Sequence, residues 1–464
     1  MCNISYAAAN RDKDMAIRIA QKVSELGGST YYVGGFCRDQ FVSGIVSKDI
    51  DIEIFGVTVE QLRNILDTLG EREEHGKSFG VFGLKGYTLD IALPRKERCT
   101  GNTHTDFDVT VNPYMTTQEA ARRRDLTMNA IMINVLTKEV VDHFNGREDI
   151  ENGIIRHIDD TTFVEDPLRV LRVAQFASRF NMEVAPETLE LCKSMDITTL
   201  SKERVYTELE KALLKSPVPS VFFKVLRSMN QLEYWFTELN SLIGLPQNPM
   251  YHPEGDVWEH TMQVLEYAAI CKNYVYGGVG FLLAAICHDM GKIVGTTIDE
   301  DGSIHAHGHA KLGEPLVRQF LNRFTDNRRL IDYVVNLSNL HMDTHQVYNG
   351  KSRMKKTNHL FDKCLYPKDL IYLTKCDTMG KLDYVDANEE LDWLMERYEI
   401  YEKIMAEPHV RGEDLISNGL KPGPYFADLM SFAHKLRLAG ITKEDALHQV
   451  LMRSRKVLQQ NKQK

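Results

Sequence analysis

Features that mark membrane and secreted proteins are missing from this sequence. It has no run of about 18 apolar residues that could span a bilayer. Its first residues lack the basic start and apolar core of a secretory signal, and it contains no internal repeat or low-complexity segment. We therefore expect a cytoplasmic, globular protein that does not bind a membrane.

The cysteines lack the spacing of a metal site or a disulfide framework. Eight are scattered along the chain, and none belongs to a Cys-x-x-Cys pair. Zinc sites and disulfide-rich folds need closely and regularly spaced thiols. The cysteines are therefore predicted to be reduced side chains in hydrophobic cores.

Positive charge is not in excess. The chain has 56 Lys and Arg against 65 Asp and Glu, which gives a formal net charge of −9. This balance argues against a protein that coats nucleic acid, although it permits a local basic groove. The candidate RNA-binding patches are Arg318, Arg323, Arg328 and Arg329, the stretch 351–356 and the tail 453–464.

The chain is long enough to need several hydrophobic cores, because it has 464 residues. Strand and helix patterns alternate in residues 1–150, and helical patterns dominate residues 151–243. A proline-rich break at 244–249 predicts a linker. A histidine-bearing helical region over 250–378 and a charged helical tail over 382–464 follow. We predict an α+β multidomain protein that begins with a mixed α/β head.

A predicted strand at 50–55 carries acids on one face. Side chains two residues apart share a face, so Asp49, Asp51 and Glu53 should lie opposite the intervening isoleucines. Such carboxylates repel one another unless a cation lies between them, and Mg²⁺ prefers carboxylate oxygen. Asp90, on a second predicted strand, could complete a site of three carboxylates. The pattern predicts a half-buried strand with a magnesium site, and a solvated strand face is the alternative.

Two glycines, Gly34 and Gly35, stand between the apolar run 31–33 and a helix predicted from Phe36. Glycine lets backbone N–H groups approach a phosphate closely, and a helix N-terminus favours negative charge. A phosphate-binding turn beside a carboxylate pair suggests nucleotidyl transfer. In that reaction, metal ions held by the acids activate a hydroxyl and neutralise a triphosphate.

An arginine cluster at 122–124 precedes Asp125 and Asn129. The planar fork of arginine bonds triphosphate oxygens in pairs, and an asparagine amide could hold a sugar hydroxyl. The cluster is therefore predicted to bind the phosphates and sugar of a nucleotide. A charged helix face is the alternative.

Asp166 and Arg169 lie one helical turn apart in the sequence EDPLR. Cytosine and adenine both present an amino donor beside an unprotonated ring nitrogen, so one carboxylate and one guanidinium could bind either base. Guanine and uracil present the reverse order and would leave buried groups unpaired, at a cost of about 1–3 kcal/mol each. The pair is predicted to select C and A, although Asp before Pro is also a common helix cap.

Histidines and acids recur through residues 252–377 more often than a helical core requires. Imidazole and carboxylate together suit a divalent transition metal such as Mn²⁺ or Ni²⁺, which could activate water to attack a phosphate ester. The predicted ligands are His260, His288, Asp289, His309, His341 and Asp377, with His307 and His345 as alternatives to His309 and His341.

The motifs GGFCRD, DID, RRRDLTMNA, DHFNGREDI, EDPLR and SKERVYTELEKAL, in this order, resemble the bacterial class II tRNA nucleotidyltransferase and poly(A) polymerase family. The resemblance covers residues 31–214 and implies a DNA-polymerase-beta-type head followed by a helical neck. The histidine pattern over 252–377 resembles the HD phosphohydrolase domain. That second resemblance implies hydrolysis of phosphomonoesters or 2′,3′-cyclic phosphates.

The resemblance also implies roles for individual residues. Asp49, Asp51 and Asp90 match the catalytic carboxylates that bind Mg²⁺. The implied nucleotide-binding residues are Gly34, Gly35, Arg38, Asp39, Arg123, Arg124, Asp125 and Asn129 for the triphosphate and ribose, and Glu165, Asp166 and Arg169 for the base. The sequence departs from the family at Cys37, where relatives commonly have Val.

The expected activity is template-independent addition of C, C and A to the 3′ end of tRNA from CTP and ATP. An enzyme that adds only A, to tRNA or as poly(A) tails, would carry the same motifs and stays open. A phosphohydrolase or a non-catalytic RNA-binding protein with an inactive head also stays open. The intact acids favour the transferase. The sequence does not fix the oligomeric state.

Overall fold

The computed structural model describes residues 2–42, 49–74, 80–99, 107–381 and 387–461. The chain divides into two compact units, Met1–Phe236 and Thr237–Lys464. The first unit mixes strands and helices, and the second is mainly helical, so the predicted α+β class is confirmed. Among the described helices, none has the length and apolar character needed to cross a membrane.

The first unit contains every long strand of the described chain. Its strands are β1 (Ser29–Val33), β2 (Ile50–Phe55), β3 (Arg72–Glu74), β4 (Val81–Leu84), β5 (Leu89–Ala92), β6 (Arg95–Cys99), β7 (Phe107–Val111), β8 (Met132–Asn134), β9 (Val140–Val141), β10 (Ile154–Ile155) and β11 (Glu183–Val184). Its α-helices are α1 (Cys2–Glu25), α2 (Gly35–Val42), α3 (Val59–Asp67), α4 (Thr117–Arg122), α5 (Gly146–Glu151), α6 (Asp160–Phe163), α7 (Leu168–Phe180), α8 (Pro186–Lys193), α9 (Lys202–Lys215) and α10 (Ser220–Ser228).

One sheet of seven strands organises this unit, in the order β3-β4-β5-β2-β1-β8-β9. β2 lies at the centre, antiparallel to β1 and parallel to β5. Its isoleucines Ile50, Ile52 and Ile54 have no exposed surface, as their alternation predicts. β9, at the edge of this sheet, has only two residues. Beyond the sheet, α7 packs against α9 and α10, which gives the predicted helical segment.

The second unit is built from helices. Its elements are α11 (Thr237–Asn240), α12 (Val257–Cys271), α13 (Val279–Cys287), α14 (Lys292–Gly295), β12 (Thr297–Ile298), β13 (Ile304–His305), α15 (His309–Leu312), α16 (Glu314–Asn322), α17 (Arg328–Asn349), α18 (Met354–Lys363), α19 (Pro367–Met379), α20 (Ala387–Ala406), α21 (Gly412–Ser417), α22 (Tyr425–Leu438) and α23 (Lys443–Asn461). α12, α13, α17 and α19 pack on one another, and α22 packs on α23 around a second apolar cluster.

Candidate functional site

Two neighbouring strands bring a pair of carboxylates together in the first unit. β2 and β5 run parallel, and their register places Asp51 beside Asp90. The register of β1 with β2 pairs Asp51 with Val33, so the turn after β1 passes the same carboxylate. A Cβ atom on Gly34 would lie 3.3 Å from the Asp51 Oδ2 atom, and Gly34 has a φ of +65°. This position therefore favours glycine.

Asp51 has the electrostatics of a cation site. Burial, followed by the negative charge of Asp90, raises the pKa of the Asp51 carboxyl to about 6. A divalent cation between the two carboxylates would remove their repulsion, so these donors fit the predicted Mg²⁺. Asp49 lies on an exposed bend before β2. Among the described residues, Asp49, Asp51 and Asp90 do not form one of the groups whose metal-binding atoms all lie within 4.8 Å.

The acidic face of β2 does not continue to Glu53. This side chain is buried and accepts hydrogen bonds from Arg123 at 3.2 Å and from Arg124 at 2.9 Å. The prediction of a half-buried strand is therefore wrong, because these arginines and the alanines of α4 cover its second face. Glu53 instead fixes two of the arginines that were predicted to bind phosphate.

A chain of hydrogen bonds joins residues from three predicted motifs. Arg38 Nη1 donates to Asn129 Oδ1 at 2.8 Å, and Asn129 Nδ2 donates to Asp125 Oδ1 at 2.9 Å. Arg172 Nε donates to Asp125 Oδ2 at 2.7 Å, and Arg38 pairs with Asp39. Burial raises the pKa of Asp125, but the Arg172 charge and the Asn129 hydrogen bond outweigh it and hold that pKa below its usual value. Asp125 is thus an anionic anchor that orients Asn129.

The predicted base-reading pair is held by neighbouring groups. Asp166 accepts hydrogen bonds from Arg204 Nη2 at 2.8 and 2.9 Å and from the Leu168 backbone N–H at 3.1 Å. Arg169 donates to the carbonyl oxygens of Thr162 at 2.5 Å and Arg123 at 2.7 Å. The two hydrogen bonds of Arg169 use one N–H group on Nη1 and one on Nη2. The second N–H group on each of these nitrogens can still donate to a ligand. Asp166 accepts the first N–H of α7, but the N-cap residue of that helix is Pro167, so Asp166 is not its N-cap.

Most of these groups face one cavity of about 500 Å³. It is lined by Gly34, Gly35, Arg38, Asp51, Arg95, Arg123, Arg124, Asp125, Asn129, Asp166, Leu168, Arg169 and Arg172. The predicted residues Asp39, Asp49, Asp90 and Glu165 are not among its walls. Sequence reasoning missed Arg95, Arg172 and the Asp166 partner Arg204. Arg204 lies in SKERVYTELEKAL, a motif that contributed only to the family resemblance.

The second unit gathers all of its predicted metal ligands into one buried cluster. Asp289 lies at its centre: the Oδ1 atom is 3.0 Å from His309 Nε2 and 3.6 Å from His341 Nε2. The Oδ2 atom is 3.3 Å from His288 Nε2 and 3.7 Å from His260 Nε2. Asp377 Oδ1 lies 3.1 Å from His260 Nε2. The structure therefore brings these six residues together.

Backbone carbonyls fix the histidines in a ligand geometry. The Nδ1 atoms of His288 and His309 each lie 2.8 Å from a carbonyl oxygen three residues earlier, and that of His341 lies 2.6 Å from one. A carbonyl oxygen only accepts, so each Nδ1 carries the proton. The Nε2 atoms then direct their lone pairs at the cluster, which is the arrangement that metal-binding histidines adopt. The donors fit a divalent transition metal.

Two further members of this cluster come from the stretch after the predicted linker. Glu254 Oε1 lies 2.8 Å from both His252 Nδ1 and His260 Nδ1. Its side chain is fully buried, and its Oε2 atom has no hydrogen-bond partner among the described residues. His252, Glu254 and His260 form a group that could hold a metal ion. Sequence reasoning did not name His252 and Glu254 as candidate ligands, although both lie in the histidine-bearing region that it recognised.

The alternative histidines lie outside the centre. His345 Nε2 lies 2.9 Å from Asp377 Oδ2, and His345 Nδ1 lies 2.9 Å from Glu390 Oε1. His307 stacks on His305. His345 therefore contacts the cluster from behind, through Asp377. A cavity of about 580 Å³ opens on the cluster, and its walls include Lys292 and Lys381.

A close crossing of two backbones places His309 beside Asp289. A Cβ atom on Gly291 would overlap the carbonyl oxygen of His309 and would lie 2.7 Å from the Gly313 nitrogen. Only glycine allows this approach. Gly291 follows Asp289 by two residues in the sequence CHDMGK. One short segment therefore supplies both the central candidate ligand, Asp289, and the glycine that lets the His309 backbone approach it.

The predicted basic patches differ in their surroundings. Arg318 is paired with Glu314 and Asp332, and Arg323 is paired with Glu238. The stretch 351–356 contributes Arg353, Lys355 and Lys356 to the wall of a cavity of about 520 Å³. In the predicted tail patch, the side chains of residues 456–464 lie outside the described residues.

Three protein-family models match successive parts of the chain. The poly A polymerase head domain matches residues 30–156, the probable RNA and SrmB-binding site of polymerase A matches residues 181–243, and the HD domain matches residues 257–370. The multifunctional CCA protein of Pasteurella multocida (strain Pm70) is 32% identical over 404 residues, which cover 84% of this chain and 92% of that protein.

Two solved structures share the fold. The Bacillus stearothermophilus CCA-adding enzyme in complex with CTP is 19% identical with a TM-score of 0.67, covering 97% of this chain and 99% of that chain. The Thermotoga maritima CCA-adding enzyme complexed with tRNA is 20% identical with a TM-score of 0.61, covering 95% of this chain and 94% of that chain. With a close relative matching over nearly its full length, this chain belongs to the multifunctional CCA protein family of tRNA nucleotidyltransferases.

Proposed function

We propose that this protein adds C, C and A to the 3′ end of tRNA in the cytoplasm, using CTP and ATP. The observation that carries the proposal is the cavity of about 500 Å³ in the first unit. An acid for metal binding, the glycine turn, the arginines and the Asp166–Arg169 pair all line it. These are the groups that a transferase selecting C and A requires in one place.

Mg²⁺ is the proposed cofactor of the head, held by Asp51 and Asp90 with Asp49. When bound, it would neutralise the triphosphate and favour ionisation of the attacking 3′-hydroxyl. The backbone N–H groups of Gly34 and Gly35 would bind triphosphate oxygens. Arg123 and Arg124, fixed by Glu53, would add charge-assisted hydrogen bonds. Arg38, Asp39, Asp125 and Asn129 would orient the sugar and phosphates through the hydrogen bonds that connect them.

Base selection is assigned to Asp166 and Arg169, with Glu165 beside them. Arg204 neutralises part of the Asp166 charge, and two carbonyl oxygens fix the plane of Arg169. A fixed carboxylate and guanidinium accept the Watson–Crick edges of cytosine and adenine and leave those of guanine and uracil unpaired. We further propose four domains: residues 1–150 form the head, 151–243 a base-reading neck, 250–378 the HD domain and 382–464 a helical tail.

A second activity is proposed for the HD cluster. His260, His288, Asp289, His309, His341 and Asp377 would hold Mn²⁺, Ni²⁺ or a similar ion. When bound, that ion would activate water toward a phosphomonoester or a 2′,3′-cyclic phosphate. The observation that supports this activity is the opening of the cluster into a cavity that also presents Lys292 and Lys381. Those cations could bind the phosphate.

The decisive experiment uses purified protein, Mg²⁺ and tRNA that lacks its 3′-terminal CCA. Each labelled nucleoside triphosphate is offered separately, then CTP and ATP together. Two additions of C followed by one of A support the proposal. Addition of a single A only to tRNA that already ends in CC identifies an A-adding enzyme, and long runs of A identify a poly(A) polymerase. No addition of any nucleotide would contradict transferase activity.

A further inference from the structure

Arg38 is a buried cation in the wall of the cavity of about 500 Å³ in the first unit. It lies in α2, directly after the glycine turn, and is only 5% exposed. Burial lowers the pKa of its guanidinium from the usual value, and the charge of Asp39 opposes that change. A guanidinium removed from water needs groups that replace its hydration, and those groups also decide where its N–H groups point.

Polar partners hold the edge of the Arg38 guanidinium. Asp39 Oδ1 accepts hydrogen bonds from Nε at 2.9 Å and from Nη2 at 2.6 Å, and Asn129 Oδ1 accepts one from Nη1 at 2.8 Å. Each terminal nitrogen of an arginine carries two N–H groups. Among the contacts of the described residues, one N–H group on Nη1 and one on Nη2 therefore remain for a ligand in the cavity.

Two phenylalanines of α7 hold the flat face of the same guanidinium. Arg38 Cζ lies 5.0 Å from the ring centroid of Phe176 and 5.0 Å from that of Phe180. The two rings are one helical turn apart, their centroids are separated by 6.0 Å, and their planes differ by only 6°. The π face of such a ring attracts a cation, most strongly where the cation is desolvated. The rings thus restrict the face of the guanidinium while the hydrogen bonds restrict its edge.

The same rings contact two further arginines. Arg172 Cζ lies 5.2 Å from the ring centroid of Phe176, and Arg179 Cζ lies 4.9 Å from that of Phe180. Arg179 also pairs with Asp39 at 3.5 Å. Like charges in one place repel one another, so the rings and Asp39 offset the repulsion among these guanidinium groups. A cation that is already oriented loses less entropy when a phosphate binds.

Helix α7 thereby connects the proposed base-reading group with the glycine turn. Its first turn carries Arg169, and its last two turns carry Phe176 and Phe180. Neither phenylalanine is among the wall residues of the cavity, whereas Arg38 and Arg169 both are. The base and the triphosphate of a nucleotide are joined covalently, so the groups that bind them must also keep a constant separation. A single helix that holds both groups meets this need.

We infer that Phe176 and Phe180 are positioning residues for nucleotide addition, whose rings orient Arg38 so that its remaining N–H groups meet the triphosphate. This inference rests on the transferase function proposed above. The rings touch no reacting atom and act through the guanidinium. Because the same helix carries Arg169 at its other end, α7 keeps the triphosphate and the base at one separation for both CTP and ATP.

The test removes one ring and measures binding of the phosphate end alone. Phe180→Leu keeps an apolar side chain at this half-buried position but loses the π face. Calorimetric titration with inorganic tripolyphosphate and with CTP, both with Mg²⁺, should show about tenfold weaker binding of each, as expected for one desolvated cation–π contact. Phe180→Tyr should restore both affinities, because the ring remains. Phe144→Leu, at another half-buried phenylalanine of the first unit that packs on apolar residues, is the matched control and should bind as wild type does.

Two further measurements separate positioning from packing. In an Arg38→Ala background, Phe180→Leu should cause no further loss of tripolyphosphate binding, because the ring acts through that guanidinium. With Arg38 present, Phe180→Leu should lower kcat/KM for both CTP and ATP by about tenfold. The preference for CTP over UTP should stay at the wild-type value, because the proposed base-reading pair is untouched.

The outcomes distinguish this inference from the transferase proposal. Equal tripolyphosphate affinities for Phe180→Leu and wild type would overturn the inference, even if wild type adds nucleotides to tRNA. The same loss with and without the Arg38 side chain would also overturn it, because the ring would then act through packing alone. Tripolyphosphate binding that depends on both side chains, in a protein that adds no nucleotide to tRNA, would support the role of the rings and refute the transferase.

Discussion

At the scale of a single residue, Asp51 shows that a carboxylate in a candidate functional site can destabilise the folded state. Its pKa is raised to about 6 by burial and by Asp90. A carboxyl with a raised pKa in the folded state destabilises that state once it ionises. The cost is absent below the unfolded value near 4 and is fully present above about pH 6, at roughly 3 kcal/mol.

Replacing this charge should therefore exchange activity for stability. Asp51→Asn is expected to abolish nucleotide addition and to raise the melting temperature of metal-free protein at pH 7.5. The gain should shrink as the pH falls toward 4, because the wild-type carboxyl is then protonated. Thermal unfolding at several pH values measures both trends, and Mg²⁺ should stabilise wild type only. Equal melting temperatures at pH 7.5 would contradict the proposed repulsion.

Arg169 offers a second test at this scale. Arg169→Ala should relax base choice more than it weakens triphosphate binding, because we propose that Arg169 contacts the base edge and not the phosphates. Misincorporation of UTP and GTP into tRNA lacking its CCA end, measured against CTP and ATP, checks this. Arg172→Ala is the matched control for loss of a guanidinium from the same cavity, since Arg172 contacts Asp125. Unchanged base selectivity in Arg169→Ala would make that residue purely structural.

Individual side chains also show where sequence reasoning stops. The alternation that placed Asp51 on the outer face of β2 placed Glu53 there too, yet Glu53 is buried against two arginines from another motif. Periodicity gives the face of a strand but not what covers that face. His252 and Glu254 were missed for a similar reason, because prolines and glycines nearby indicate a turn and say nothing of what the turn packs against.

At the scale of elements, the charged helix α20 contacts the proposed metal-binding cluster. Glu390 lies in its first turn, and its carboxylate holds His345, which in turn holds Asp377. Groups that orient a metal ligand commonly change metal affinity by about 10–100-fold when they are removed. α20 lies beyond the matched HD region 257–370 and thus extends the proposed metal-binding unit.

Glu390→Gln should therefore weaken binding of Mn²⁺ or Ni²⁺ by about tenfold, because His345 loses its anionic partner. Calorimetric titration of metal-free protein measures the change directly. Glu389→Gln, at the exposed neighbouring position, should bind the metal as wild type does. Identical affinities in the two variants would show that α20 only packs against the cluster.

Elements with a strong periodic pattern were predicted closely, and the connections between them were not. The strand predicted at 50–55 is β2, with the same bounds. The stretch 244–249 was predicted as a linker, but its backbone and side chains bond to the start of α12 and to Lys292. Such contacts join residues from different elements, so no local sequence pattern predicts them.

At the scale of the whole molecule, each proposed site lies within its own compact unit. Hard carboxylates suit Mg²⁺ in one, and imidazoles suit softer ions in the other. His288→Ala combined with Asp289→Ala should remove hydrolysis of 2′,3′-cyclic phosphates and leave nucleotide addition largely intact. Asp51→Ala should do the opposite. Both activities are measured on both variants, with circular dichroism as the folding control. Loss of nucleotide addition in a folded HD variant would refute separate sites.

The close approach of the Gly291 and His309 backbones has a consequence for genetics. A methyl group at Gly291 would push the backbone of His309 away from Asp289 while every metal ligand remained in the sequence. Gly291→Ala would then keep every proposed metal ligand in the sequence, although the distance between His309 and Asp289 had increased. Such an allele would keep the proposed nucleotide addition and lose the proposed hydrolase activity, so its growth would measure what the hydrolase contributes to the cell.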